Sequence, residues 1–167
     1  AVYIEVSGGV GTICGSNARA LLIAVYKFLE KNGVRFIKPG KNGEIIPKKD
    51  AAELHASCLH AASYRHRGVC IEGSNTIENV LEMLEWLPKV GMNTYFVQFL
   101  TPFIFFDRYY GHEWNPSKKP ERLTKTIMNG FVSRIKSAAL ARGLCYHAVG
   151  HGWTCEPFGI SGMAWEK

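Results

Sequence analysis

Residues 63–99, SYRHRGVCIEGSNTIENVLEMLEWLPKVGMNTYFVQF, carry the clearest structural signal in the chain. Apolar residues recur at helical spacing between Ile77 and Leu87, and Thr76 before them is a residue type that caps helix N-termini. Short runs at 68–71 and 93–99 flank this helix and are rich in the residues that favour strands. Strands joined by such a helix pair in parallel through a right-handed crossover. The stretch therefore predicts a strand–helix–strand unit of a parallel sheet.

The chain continues with a second unit of the same kind. A helix is predicted to open at Pro120, a residue suited to a first helical turn, and to end at Arg142-Gly143. Leu144 to Ala148 then reads as a third strand, and residues 100–120 read as a long loop rich in aromatic side chains. An eight-stranded (β/α)8 barrel needs about 250 residues. Residues 63–167 therefore correspond either to the first three βα units of a TIM barrel or to a small open parallel sheet.

The first part of the chain, residues 1–62, predicts a small α/β sandwich. Strand patterns at Val2–Val6 and Val34–Ile37 surround a helix from about Asn17 to Lys31, and Leu54–Leu59 reads as an edge strand. We therefore predict two domains, 1–62 and 63–167, both of the α/β class.

Ligands of parallel α/β folds bind where the strands end. Polar and aromatic side chains lie at or just after the carboxyl end of each predicted strand. These candidate binding residues are Glu72, Asn75, Gln98, His147, His151 and Trp153.

Composition excludes several classes of partner. The 167 residues are 47% hydrophobic and carry a formal charge of +6, but Lys and Arg are dispersed and no aromatic platform lies among them, which argues against nucleic-acid binding. No apolar run has the length of a membrane span. The five cysteines are irregularly spaced, and Cys14, Cys58 and Cys70 lie in or beside apolar stretches. This pattern predicts buried thiols and slightly favours a cytoplasmic over a secreted location.

Several motifs together resemble bacterial glycoside hydrolases, namely the β-hexosaminidases and the α-glucuronidases. The helix Gly15–Leu29 (GSNARALLIAVYKFL) followed by Gly-Val-Arg-Phe at 33–36 is similar to their N-terminal accessory domain, which precedes a TIM barrel. The segments similar to the start of that barrel are Arg67–Glu72, Gly91–Asn93, Ala139–Leu144 and the pair Gly150-His151.

The resemblance implies an enzyme that hydrolyses a glycosidic bond of a hexosaminide or uronide with carboxylates as catalysts. In these enzymes the catalytic acid pair follows the fourth barrel strand, so the 167 residues are expected to be an inactive N-terminal fragment with no catalytic residue of their own. The six candidate residues would then bind the carbohydrate, with Trp153 stacking on a sugar ring. The unpaired third strand predicts self-association.

Other interpretations have weaker support in the sequence. Cys145, His147, His151 and Cys155 are metal-ligand types, but their spacing fits no zinc finger or ribbon. The glycines from Gly9 to Gly15 have one residue too many for a dinucleotide loop. We therefore predict no cofactor and no metal. The alternative function is a non-catalytic carbohydrate-binding or structural module that uses the aromatic loop from Phe103 to Trp114.

Overall fold

The computed structural model describes residues 1–71, 75–97 and 103–148, which form α-helices and both parallel and antiparallel strands. The predicted α/β class is therefore confirmed. In chain order the elements are β1 (Val2–Ser7), β2 (Val10–Gly15), α1 (Ala18–Lys31), β3 (Arg35–Phe36), β4 (Glu44–Ile45), β5 (Ala56–His60), β6 (Gly68–Ile71), α2 (Ile77–Lys89), β7 (Thr94–Val97), α3 (Phe103–Gly111), α4 (Lys125–Ala141) and β8 (Cys145–Ala148). No helix in the described ranges has the length and apolar character needed to cross a membrane.

The N-terminal sheet has the strand order β2-β1-β5, and both pairings are antiparallel. Val2, Ile4 and Val6 alternate along β1 and form a small core with Ala24 of α1. The helix approaches β2 closely at Gly15, where a Cβ atom would lie only 2.1 Å from the backbone nitrogen of Leu21. Glycine at this position thus lets one helix cover the sheet.

The parallel sheet has the order β6-β7-β8, so the strand–helix–strand prediction is confirmed and the third strand is also parallel. Thr76 caps α2 by accepting a hydrogen bond from the backbone N–H of Asn79 at 3.0 Å. Leu84 of α2 and Ile135 of α4 are fully buried in one core with Tyr95 of β7. The helices of both crossovers therefore pack on the same face of the sheet.

Two predictions about the second half of the chain are wrong. Part of the predicted loop 100–120 is helix α3, because Phe106 is buried and packs edge-on against Phe131 of α4 at 5.1 Å. Helix α4 does not open at Pro120. It begins at Lys125, where the Thr124 hydroxyl accepts a hydrogen bond from the Ile127 backbone N–H at 3.3 Å.

The expectation of buried cysteines also fails at two positions. Cys14 and Cys70 are exposed, since each lies on the side of its sheet that faces away from the core.

Strands β3 and β4 pair antiparallel in a separate two-stranded sheet, and α2 contacts this sheet directly. The Trp86 indole donates a hydrogen bond to the Phe36 carbonyl at 2.9 Å, and Lys89 Nζ lies 2.6 Å from Glu44 Oε1. Burial lowers the pKa of Lys89, but hydrogen bonds to Glu44 and Glu85 and their negative charges outweigh it, so the net pKa lies above its ordinary value. The predicted boundary at residues 62 and 63 falls in the segment between β5 and β6, and the division into two domains stays a prediction.

Candidate functional site

The parallel sheet has two faces of different character. Val69, Tyr95 and Tyr146 are in register across the three strands and pack against the helices. The next row in register is Cys70, Phe96 and His147. Because successive side chains on a strand point to opposite faces, this second row lies on the face away from α2 and α4. We call it the histidine face.

His147 is the centre of a small group of rings on the histidine face. Its imidazole is half-buried and stacks on Phe96 with ring centroids 6.4 Å apart, while the exposed His66 ring meets it edge-on at 5.4 Å. Two imidazoles can donate and accept hydrogen bonds, and an aromatic ring can cover the apolar side of a sugar. The three residues include no carboxylate, so this group could bind a polar ligand but cannot supply the acid pair of a glycosidase.

Asn75, one of the predicted binding residues, lies just before α2, and its role in binding stays a prediction. Its Oδ1 accepts hydrogen bonds from the Thr76 backbone N–H at 2.8 Å and from Asn79 Nδ2 at 2.7 Å. The side chain therefore helps to cap α2. No hydrogen bond or ring contact joins Asn75 to His147 in the part of the chain that the structure describes.

The other predicted site residues are Glu72, Gln98, His151 and Trp153, and they lie outside the described residues. Their role in binding therefore stays a prediction.

The cysteine–histidine group considered as a metal site gains no partner from the described residues. Cys145 Sγ instead accepts a hydrogen bond from Arg19 Nη1 at 3.1 Å, and His151 and Cys155 lie outside the described ranges. Within residues 1–71, 75–97 and 103–148, no three His, Cys, Asp or Glu side chains are grouped so that they could hold a metal ion.

Tyr110 is a residue near the carboxyl end of the sheet that sequence reasoning missed. Its hydroxyl accepts a hydrogen bond from the Ile77 backbone N–H and donates one to Glu78 Oε2, both at 3.4 Å. Burial raises its pKa, the Ile77 amide lowers it, and the Glu78 and Glu121 charges raise it, so the net direction is upward. The spacing of Phe106, Tyr109 and Tyr110 at i, i+3 and i+4 was the available helical signal.

Asn93, at the amino end of β7, was also missed as a structural centre. Its Oδ1 accepts from the Arg67 backbone N–H at 2.8 Å, and its Nδ2 donates to the Arg65 carbonyl at 2.8 Å. Its own carbonyl accepts from the Cys145 backbone N–H at 2.8 Å. The buried amide thus fixes the segment that leads into β6, and its signal was an asparagine directly before a strand.

No protein-family model matches this chain, and no match was found among curated proteins or solved structures. A functional interpretation is built on the residues and contacts described above.

Proposed function

We propose that residues 63–167 form the first three βα units of a TIM barrel in a glycoside hydrolase that acts on a hexosaminide or uronide. The observation that carries this proposal is the sequential order β6-β7-β8 with α2 and α4 in one core on one face. A doubly wound sheet instead reverses its strand order and places helices on both faces. Consecutive parallel strands with all helices on one side are the geometry of a barrel wall.

The histidine face would then line the barrel interior, and the carboxyl ends of the strands would form the binding site. His147 lies in β8 at its third position, with Phe96 beside it in register. Half-buried aromatic and imidazole side chains at such a place suit a carbohydrate, whose ring has an apolar side and whose hydroxyls need hydrogen bonds.

The catalytic carboxylates would follow a fourth barrel strand, and the described part of the parallel sheet comprises three strands. We therefore expect residues 1–167 to leave aryl glycosides of N-acetylglucosamine and glucuronic acid intact, and a longer protein that completes the barrel to hydrolyse one of them. Turnover by residues 1–167 alone, or a longer protein that hydrolyses neither glycoside, would refute the proposal.

His147 provides a sharper test in the longer protein. His147→Ala should raise the KM for the hydrolysed glycoside by about tenfold, since one or two hydrogen bonds to the sugar are lost. His55 is an exposed histidine directly before β5 of the N-terminal sheet. His55→Ala is the matched control and should leave KM unchanged. Equal kinetics for the two variants would remove His147 from the site.

Self-association is the second expectation of the barrel proposal. In the described ranges β6 and β8 each pair with β7 alone. Both are therefore edge strands, whose outer backbone N–H and C=O groups can pair with another chain. Sedimentation velocity on residues 1–167 should show a dimer or larger species whose share rises with concentration. A single monomeric species at all concentrations would argue against the incomplete barrel.

One observation favours the alternative of a non-catalytic binding module. Trp114, in the turn after α3, is 95% exposed, which is unusual for a large aromatic side chain. A module of this kind would bind oligosaccharide, and Trp114→Ala would lower that affinity. The longer protein would then show no turnover. The kinetic assay above therefore separates the two functions.

A further inference from the structure

A cleft of about 520 Å³ lies between α1 and the amino ends of β6 and β7. This volume is within the range of small-molecule sites. No aspartate or glutamate is found among its described lining residues, whereas four cationic side chains line it: Arg19, Lys27, Arg65 and Arg67. The cleft is therefore positively charged without an internal counter-charge.

Two of the four cations of the cleft are held by neutral groups. Arg67 donates from Nε to the Gly91 carbonyl at 3.0 Å and from Nη1 to the Tyr64 carbonyl at 2.7 Å. Arg19 Nη1 donates to the Gly143 carbonyl at 2.7 Å. Carbonyl partners orient a guanidinium group but do not neutralise its charge. Each of the two guanidinium groups also keeps further N–H donors for an anion.

Protein carboxylates do not neutralise these cations. Within the described ranges, no carboxylate oxygen lies within 4.0 Å of the four cationic side chains that line the cleft. Four such charges beside one cavity repel one another, and an anionic ligand would relieve that repulsion.

The same cleft has an aromatic side chain. Tyr64 lines it and is 75% exposed, so its ring is accessible to a ligand while its carbonyl holds Arg67. A flat aromatic face next to fixed guanidinium groups suits a ring with an attached oxyanion.

We propose that this cleft binds a monosaccharide-sized oxyanion, that is, a sugar that carries a phosphate or a carboxylate group. The cleft lies at the amino ends of the parallel strands, whereas the site of the proposed glycosidase lies at their carboxyl ends. The choice of a sugar as the ligand rests on the proposed function, but the cleft is a separate site, so its binding test is independent of turnover.

Isothermal titration calorimetry on residues 1–167 at low ionic strength tests the ligand class. Glucose 6-phosphate or glucuronate should bind at least tenfold more tightly than glucose, and the tighter of the two identifies the anionic group. Added salt should weaken this binding, since it screens the charges. Equal affinity for glucose, or inorganic phosphate binding as tightly as both charged sugars, would overturn the proposal.

Charge-removing variants locate the binding to the cleft. Lys27→Gln and Arg65→Gln should each lower the affinity for the charged sugar by about tenfold, because one charge-assisted contact is lost. The side chains of both residues can be changed without breaking the carbonyl contacts that hold Arg19 and Arg67. Lys136→Gln on the exposed side of α4 removes the same charge away from the cleft and is the control. Equal affinity in the Lys27 and Lys136 variants would place the ligand elsewhere and refute the assignment.

Discussion

The N-terminal sheet β2-β1-β5 and the parallel sheet β6-β7-β8 differ in the size of their cores. Among the described residues, the core of the N-terminal sheet has five buried members, three of them from β1, under a single helix. In the same ranges the parallel sheet shares a core of eleven buried residues with α2, α3 and α4. A three-stranded sheet with such a small core is marginal by itself. We infer that the N-terminal sheet depends on its packing against the parallel one.

The two cores are linked through α1 and through the two-stranded sheet of β3 and β4. Trp86 and Lys89 extend from α2 to the backbone and side chains of β3 and β4, and α1 packs on α2. We therefore expect the whole chain to unfold in one transition rather than sheet by sheet.

The largest expected effect comes from truncating a fully buried side chain in each core. Leu84→Ala and Ile4→Ala should each lower the free energy of unfolding by about 3 kcal/mol, because both side chains are completely buried. In urea unfolding followed by circular dichroism and by Trp fluorescence, both variants should shift one common midpoint. Leu140→Ala, at a side chain 80% exposed, is the control and should change it little.

Separate transitions would contradict this coupling. If Ile4→Ala shifted the circular dichroism midpoint but left the Trp fluorescence midpoint unchanged, the N-terminal sheet would unfold alone. The difference between the two sheets would then be a difference in stability as well as in core size.

A smaller effect is expected at the junction of the sheets. Asn93→Ala should lower the free energy of unfolding by about 2 kcal/mol, because the partly buried Arg67 N–H and Arg65 carbonyl both lose their partner. Asn115→Ala is the control. The Asn115 side chain also accepts a hydrogen bond from a backbone N–H, that of Ser117 at 3.1 Å, but at an exposed position. The cost of Asn115→Ala should be well below that of Asn93→Ala in the same urea experiment, and similar costs would mean that the junction contributes no special stability.

The sequence contained enough local information to predict the strand–helix–strand unit. The Thr76 cap, the apolar spacing that places Leu84 inside, and Gly91, whose backbone has a φ of +80°, all act within a few residues of the element they define. The first βαβ crossover followed from these signals.

The features that sequence reasoning missed are contacts between distant residues. Asn93 is important because of partners 26 and 28 positions away, and α3 is stabilised by Phe131, which follows it by 20 residues or more. Likewise, the place of His147 on a face away from the helices depends on strand register, which becomes visible only when three strands are aligned. The contact of Asn75 with the start of α2 is local, since its Oδ1 accepts a hydrogen bond from the next backbone N–H.

The last prediction uses a polar group that only the larger core contains. Tyr95 is 3% exposed in that core, and burial, with smaller contributions from Tyr146 and Cys70, raises its pKa well above the ordinary value. Above about pH 10 the unfolded chain loses this phenolic proton while the folded chain keeps it, so stability falls by roughly 1.4 kcal/mol per pH unit from this group. Between pH 10 and 11.5, Tyr95→Phe should make that slope shallower by roughly 1.4 kcal/mol per pH unit, the contribution of one proton.

The control for this measurement lies in the smaller sheet. Tyr3→Phe removes a hydroxyl from a ring that is 43% exposed on β1 and serves as the control for the substitution itself. Parallel profiles for Tyr95→Phe and the unmodified chain would mean that the Tyr95 hydroxyl reaches solvent. If only Tyr95→Phe shows the shallower fall of stability with pH, alkaline unfolding depends on the core of the parallel sheet. The N-terminal sheet would then unfold because that core has opened.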